Sequence, residues 1–134
     1  MITVELARDL HAAGLNWSPM PGDRFVVIAH GHPVEDIFYL ADMTVEVHQF
    51  VGGSVIGFNG VAEWALDAVD LEETLWLPRE DQMRAVLGDT FAGMARTSGR
   101  YVVVVTLDGT RRQFDHLDAE CAYAEALLAM LRSD

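Results

Sequence analysis

Basic residues are scarce in this sequence of 134 residues: nine arginines face 21 aspartates and glutamates, and lysine is absent. The formal net charge at pH 7 is therefore −12. A negative field of this size repels the phosphate backbone of nucleic acids and the surface of an anionic membrane. We therefore expect neither nucleic acid nor a membrane among the partners of this protein.

The sequence also contains little cysteine and only short apolar runs. The single cysteine, Cys121, cannot form an internal disulfide, which fits a reducing compartment. The uninterrupted apolar stretches, such as residues 101–105, are far too short to cross a bilayer. The first residues show no basic region followed by an apolar core, so no secretory signal is indicated. Together these absences predict a cytoplasmic protein.

Motifs for nucleophilic catalysis are missing as well. No serine lies in a G-x-S-x-G elbow. Cys121 falls on the apolar stripe of the last predicted helix, where a cysteine is usually an inert small hydrophobic residue. The sequence thus assigns no catalytic residue, and we expect no cofactor.

Apolar periodicity, in contrast, is abundant. Hydrophobic residues make up 51% of the chain, enough for a single domain over residues 1–134 with a core of its own. The alternation of helical and strand patterns predicts an α+β fold. We expect one or two largely antiparallel sheets of about seven strands in total, with about four helices packed against them.

Four segments have helical patterns. Thr3 can cap a first helix from about Val4 to Ala13. After Asn59-Gly60, residues 61, 64, 65, 68 and 69 are apolar at the spacing of a helix that lies on a sheet. Pro78 suits the first position of a third helix, and the last helix begins after Asp118. Strands are predicted at residues 25–28, 37–40, 45–48, 55–58, 91–97, 101–107 and 110–114.

Three stretches of the sequence resemble a family of small bacterial proteins, mostly from actinomycetes. They are residues 56–60 (IGFNG), 63–67 (EWALD) and 76–82 (WLPREDQ), and the likeness covers nearly the whole chain, from Leu6 to Leu131. Members often carry the label "pilus assembly protein", after an ATPase of pilus secretion systems. That activity needs a phosphate-cradling loop of the type G-x-x-x-x-G-K-[ST], which a sequence without lysine cannot form. The resemblance therefore implies no catalytic residues.

A histidine-rich segment is the first candidate site. His30 and His32 lie two residues apart, so on an extended chain their side chains point the same way, and two acids follow. His48 would add a ligand to a nitrogen–oxygen metal shell if the neighbouring strands pair suitably. The simpler interpretation is a polar hairpin loop, because a glycine and a proline flank His32.

A dense acidic band in the middle of the sequence is the second candidate. Helical spacing would place its first three members on one face of the second predicted helix, where a solvated face is the simplest interpretation. If the band has a task, the attraction of a basic protein is the physically simplest one. The candidate binding residues of this band are Glu63, Asp67, Asp70, Glu72 and Glu73.

Four arginines form a basic island against this acidity, namely Arg96, Arg100, Arg111 and Arg112. In a hairpin that turns at residues 98–99, Arg96 would lie opposite Tyr101 and could stack on its ring. Such an island can bind a small anion or an acidic partner. It can equally protect an edge strand from aggregation by its charge.

Trp17, in a loop rich in proline and glycine, is the last candidate, because an exposed aromatic ring marks a contact surface. The sequence favours a non-catalytic interaction module that binds a protein partner, one of basic charge, through its acidic surface. An inhibitor or immunity-type protein of a basic enzyme is one alternative. A metal-dependent enzyme that uses His30 and His32 is another. The oligomeric state stays open, with a homodimer among the options.

Overall fold

The computed structural model of the protein describes residues 1–29, 31–33, 36–40, 46–50, 53–57 and 68–133. Contacts between residues divide the chain into two compact units. We call Met1–Asn16 together with Pro78–Asp134 the helical unit, and Trp17–Leu77 the strand unit.

Within the described ranges the chain forms three α-helices and ten strands. The helices are α1 (Val4–Ala12), α2 (Glu80–Leu87) and α3 (Ala119–Arg132). The strands are β1 (Arg24–Ala29), β2 (His32–Pro33), β3 (Phe38–Tyr39), β4 (Glu46–Phe50), β5 (Gly53–Gly57), β6 (Ala68–Asp70), β7 (Thr74–Trp76), β8 (Phe91–Thr97), β9 (Arg100–Leu107) and β10 (Thr110–His116). Two short 3-10 turns, Leu71–Glu73 and Gly88–Thr90, precede β7 and β8.

The α+β class predicted from the sequence is confirmed, and the described strand pairs are antiparallel, but the predicted numbers of elements are wrong. Instead of about seven strands and about four helices, the described residues form three α-helices, two three-stranded sheets and a group of short strands around β1. The second predicted helix explains part of the difference. Residues 61–67 lie outside the described residues, while Ala68 and Val69, predicted near the end of that helix, belong to β6.

The sheet of the helical unit is a meander in the order β8-β9-β10. Both of its turns have two residues with positive φ, Ser98-Gly99 and Asp108-Gly109. This conformation suits a tight antiparallel hairpin, and it agrees with the turn positions that the sequence predicts. The central strand β9 buries Val103 and Val105 on one face, while Val102 and Val104 on the other face are only half-buried.

Helix α3 forms the centre of the helical unit. It contacts β9 and β10 of the sheet as well as α1 and α2. Its residues 121–124 and 126–128 are accordingly buried, including the large side chain of Tyr123. Tyr123 stacks on Phe91 of β8, and its hydroxyl accepts a hydrogen bond from Arg84 of α2 at 3.3 Å. These contacts hold three elements around one side chain.

Helix ends in this unit follow local rules of capping. Thr3 accepts the backbone N–H of Leu6, as predicted, and Gly14 takes the positive φ that ends α1. The start of α2 differs from the prediction: the helix begins at Glu80 with Arg79 as its N-cap, so Pro78 precedes the cap. The Gln82 side chain accepts the N–H of Arg79, half of a capping box.

In the strand unit, β1 is the strand with the most partners. It pairs with β2, β3 and β7, and Phe25 faces both Phe38 and Trp76, so β3 and β7 flank it on its two edges. The remaining strands form the sheet β4-β5-β6. Phe25 and Leu40 are buried, and Phe38 and Trp17 pack against them in a small aromatic core.

Candidate functional site

The two units share the acidic residues almost equally but not the basic ones. The strand unit contains ten of the 21 acids and one of the nine arginines, Arg24, which gives it a net charge of −9. The helical unit contains eleven acids and eight arginines, a net charge of −3. The net negative charge of this protein is therefore concentrated in residues 17–77.

The predicted acidic band is only partly within the described residues. Glu63 and Asp67 lie outside them. Asp70 is the last residue of β6, so it does not lie on the helix face that was predicted to carry the first three acids. Glu72 and Glu73 are exposed in the 3-10 turn that follows.

This turn joins strands that belong to two different sheets. Upstream, β6 pairs with β5, with Val69 opposite Ile56. Downstream, β7 pairs with β1, with Leu75 opposite Val26, and Leu75 is buried. The pairing on both sides fixes the backbone that carries Glu72 and Glu73, so their charges are presented from an anchored connection.

Trp17 is half-buried in the aromatic core of the strand unit. Its ring lies parallel to Trp76, with 8° between the planes and 6.4 Å between the centroids, and it tilts against Phe25 at 5.5 Å. Its indole N–H donates a 2.8 Å hydrogen bond to Asp23. The structure thus gives Trp17 a packing role in addition to any contact that its remaining surface makes.

Asp23 organises the loop between Trp17 and β1. Only 2% of its surface is exposed, and its Oδ2 accepts hydrogen bonds from the Trp17 indole and from the backbone N–H of Met20 at 3.0 Å. The loop is also tied to the end of β3, because Gly22 donates to the carbonyl of Leu40 and Leu40 donates to the carbonyl of Asp23. A loop with this many hydrogen bonds presents its tip in a defined conformation.

Two large apolar side chains on these adjoining segments face water. Met20 and Tyr39 are each 63% exposed, the highest values for large hydrophobic side chains of the strand unit among the described residues. Neither residue is among the candidates that the sequence predicts. The alternation of side chains along a strand could have identified Tyr39 as exposed, because Phe38 faces inward and the next side chain therefore faces outward.

The four arginines of the predicted basic island are divided between the two faces of the sheet. Arg96 lies over the Tyr101 ring at 5.8 Å, as predicted, on the face that α3 covers, and Arg112 lies on the same face. Arg100 and Arg111 lie on the opposite face. There Arg100 forms a 2.5 Å ion pair with Asp115. The structure therefore divides these residues between the two faces of the sheet and does not gather them into one island.

The side chains of the predicted histidine site are not among those that the structure describes. His30 lies outside the described residues, and the structure gives only the backbone of His32 in β2 and of His48 in β4. Over the side chains that are described, no group of three or more histidine, cysteine, aspartate and glutamate residues is placed to hold a metal ion.

The start of α3 carries the clearest electrostatic arrangement. Asp118 caps the helix by accepting the N–H of Cys121, and it accepts a 2.6 Å hydrogen bond from the Met1 ammonium. Burial raises the pKa of Asp118, but the Met1 ammonium and the N–H of Cys121 outweigh it and hold that pKa below its ordinary value. Burial raises the pKa of the Cys121 thiol, which keeps this group protonated.

Comparisons with known proteins add no assignment. No protein-family model, no curated protein and no solved structure matches this chain. Within the described residues, no helix combines the length and the apolar character that crossing a membrane requires.

Proposed function

We propose that this protein is a non-catalytic interaction module whose strand unit, Trp17–Leu77, binds a basic protein. The observation that carries the proposal is the unequal distribution of arginine, which leaves the strand unit with a net charge of −9. A surface of one sign attracts a partner of the opposite sign, increases the rate of encounter and discourages partners of like charge. We also propose that the chain belongs to the family of small actinomycete proteins that residues 56–60, 63–67 and 76–82 resemble.

Charge alone gives little affinity, and the strand unit offers apolar contacts as well. Interfaces obtain most of their binding energy from a few apolar and aromatic side chains surrounded by a polar rim. Tyr39 and Met20 are exposed side chains of the types enriched in interfaces, and the hydrogen bonds of Asp23 hold their segments in place. We assign these two residues to the centre of the contact and the exposed Glu72 and Glu73 to its acidic part.

The test compares four forms of the protein as bait in lysate of the native host. They are the wild type, Tyr39→Ala, the double variant E72Q/E73Q and the control double variant E5Q/D9N, which removes the same charge from exposed positions of α1. A captured partner is then purified and its affinity for each form is measured by calorimetry at 50 and 500 mM salt.

We expect a basic partner that binds the wild type and E5Q/D9N alike. Tyr39→Ala should weaken binding about tenfold, as expected for loss of an aromatic contact. E72Q/E73Q should weaken it a few-fold at 50 mM salt and have a smaller effect at 500 mM, because salt screens exposed charges. Recovery of no basic protein at low salt, or equal losses in E5Q/D9N and E72Q/E73Q, would contradict the proposal.

A further inference from the structure

A groove with a volume of about 360 Å³ lies between β10 and α3 in the helical unit. Phe114 of β10 and Leu128 and Ala129 of α3 supply its apolar lining, while Arg112 and Arg132 supply guanidinium groups. Glu125 is the one carboxylate among the described lining residues. The groove therefore combines an apolar floor with two positive charges and one negative charge.

The two arginines are available for a ligand. Both are exposed, and neither forms an ion pair with any described residue, although the chain as a whole has 21 acids. The Arg112 guanidinium lies 5.1 Å from the centroid of the Phe114 ring, a cation–π contact that restricts its orientation. Arg132 belongs to the last turn of α3, where the helix dipole favours a positive charge.

We propose that this groove binds a small amphipathic monoanion, a molecule with one carboxylate and an apolar body. A guanidinium recognises a carboxylate through two parallel hydrogen bonds, which favours this head group over a neutral one. Two arginines and one glutamate leave the described lining with one net positive charge, which suits a single negative charge. The volume lies within the range of small-molecule sites, and because the groove is open to solvent its apolar residues would contact one side of the ligand body.

The proposed ligand site uses arginines of the helical unit, whereas the surface proposed for protein binding uses residues of the strand unit. Its existence therefore does not depend on the proposed function. A small anionic ligand would also account for the presence of two arginines beside apolar residues in a chain of net negative charge. It would neutralise one of the two positive charges and lie against the apolar floor.

The probe for this site is octanoate, titrated into isotope-labelled protein and followed by chemical shifts, with octylamine as the matched cation. Arg112→Gln and Arg132→Gln should each weaken octanoate binding about fivefold or more, because each removes a charge-assisted contact. Arg111→Gln is the matched control, since this exposed residue lies next in sequence but on the opposite face of the sheet. It should leave the affinity within twofold of the wild type.

A second pair of variants tests the sign of the lining charge. Glu125→Gln should strengthen octanoate binding about two- to threefold by removing a like charge from the groove, whereas Glu5→Gln in α1 should not. Equal binding of octanoate and octylamine would overturn the proposal, as would equal losses in Arg111→Gln and Arg112→Gln. Binding to anionic lipid vesicles without binding to free octanoate would overturn it too, because the groove would then recognise a membrane surface.

Discussion

The indole N–H of Trp17 and the carboxylate of Asp23 form a 2.8 Å hydrogen bond inside the strand unit. Asp23 is the one fully buried charged side chain among the residues with described side chains. The same carboxylate oxygen accepts the N–H of Met20. One side chain therefore connects the aromatic core to the loop that presents an exposed apolar residue.

We expect Asp23→Ala to lower the free energy of unfolding by about 2–4 kcal/mol, because it leaves two donors of a buried network without their acceptor. Urea unfolding followed by tryptophan fluorescence measures this change. Asp36→Ala, at an exposed position of the same unit, is the control and should change the value by less than about 0.5 kcal/mol. An equal effect of the two substitutions would show that the Asp23 network does not stabilise the fold.

Asp118 should contribute to stability mainly as the N-cap of α3. Asp118→Ala removes the acceptor of the Cys121 N–H and should cost about 1–2 kcal/mol in urea unfolding. Asp118→Ser retains a capping oxygen but loses the ion pair with the Met1 ammonium, so it should recover more than half of that loss. If serine were no better than alanine, the cap would not be the source of the effect.

The ion pair between Asp118 and Met1 also predicts a dependence on pH. The pKa of Asp118 is lowered, so its stabilising effect is present at neutral pH and is lost as the pH falls through the folded-state value. The pKa of the Met1 ammonium is raised, chiefly by its hydrogen bond to Asp118, so its effect is lost as the pH rises through that value.

The difference in unfolding free energy between the wild type and Asp118→Asn isolates this charge, because asparagine also caps helices. The difference should be below about 1 kcal/mol, since the pair is partly exposed to solvent. It should be constant between about pH 5 and pH 7.5 and shrink on both sides of that window. A difference that stays constant from pH 3 to pH 10 would contradict the assignment.

Cys121 should be unreactive in the folded protein. Only 1% of its surface is exposed, and burial raises the pKa of its thiol, so little thiolate meets a reagent. We expect labelling by a disulfide reagent to be at least about a hundredfold slower in buffer than in 8 M urea. Rapid labelling of the native protein would show that the start of α3 opens readily.

Local patterns predicted the helical unit well, because its elements depend on neighbours in sequence. Thr3 and Asp118 identify helix starts, and the turns at residues 98–99 and 108–109 fix the hairpins that place β9 at the centre. The run of four valines at residues 102–105 is typical of a strand covered on both faces, yet Val102 and Val104 of β9 are only half-buried. An all-valine run does not show how many layers pack against it.

The strand unit was harder to predict because its pairings join residues far apart in sequence. Val69 fits a helical stripe, yet it lies opposite Ile56 in a sheet, and short apolar segments of this kind suit either structure until a partner strand decides. Trp76 pairs with Phe25, about fifty residues earlier, and no local pattern shows this. Among the candidate residues, strand alternation could have separated Arg111 from Arg112, since consecutive side chains point to opposite faces.

The division of the chain also gives each unit a spectroscopic label of its own. All three tryptophans fall within Trp17–Leu77, whereas the single cysteine belongs to the other unit. Fluorescence therefore follows one unit while thiol accessibility follows the other, in the unmodified protein and without any introduced dye. Comparing the two transitions along one denaturant series would establish whether the protein melts in a single cooperative step or in two.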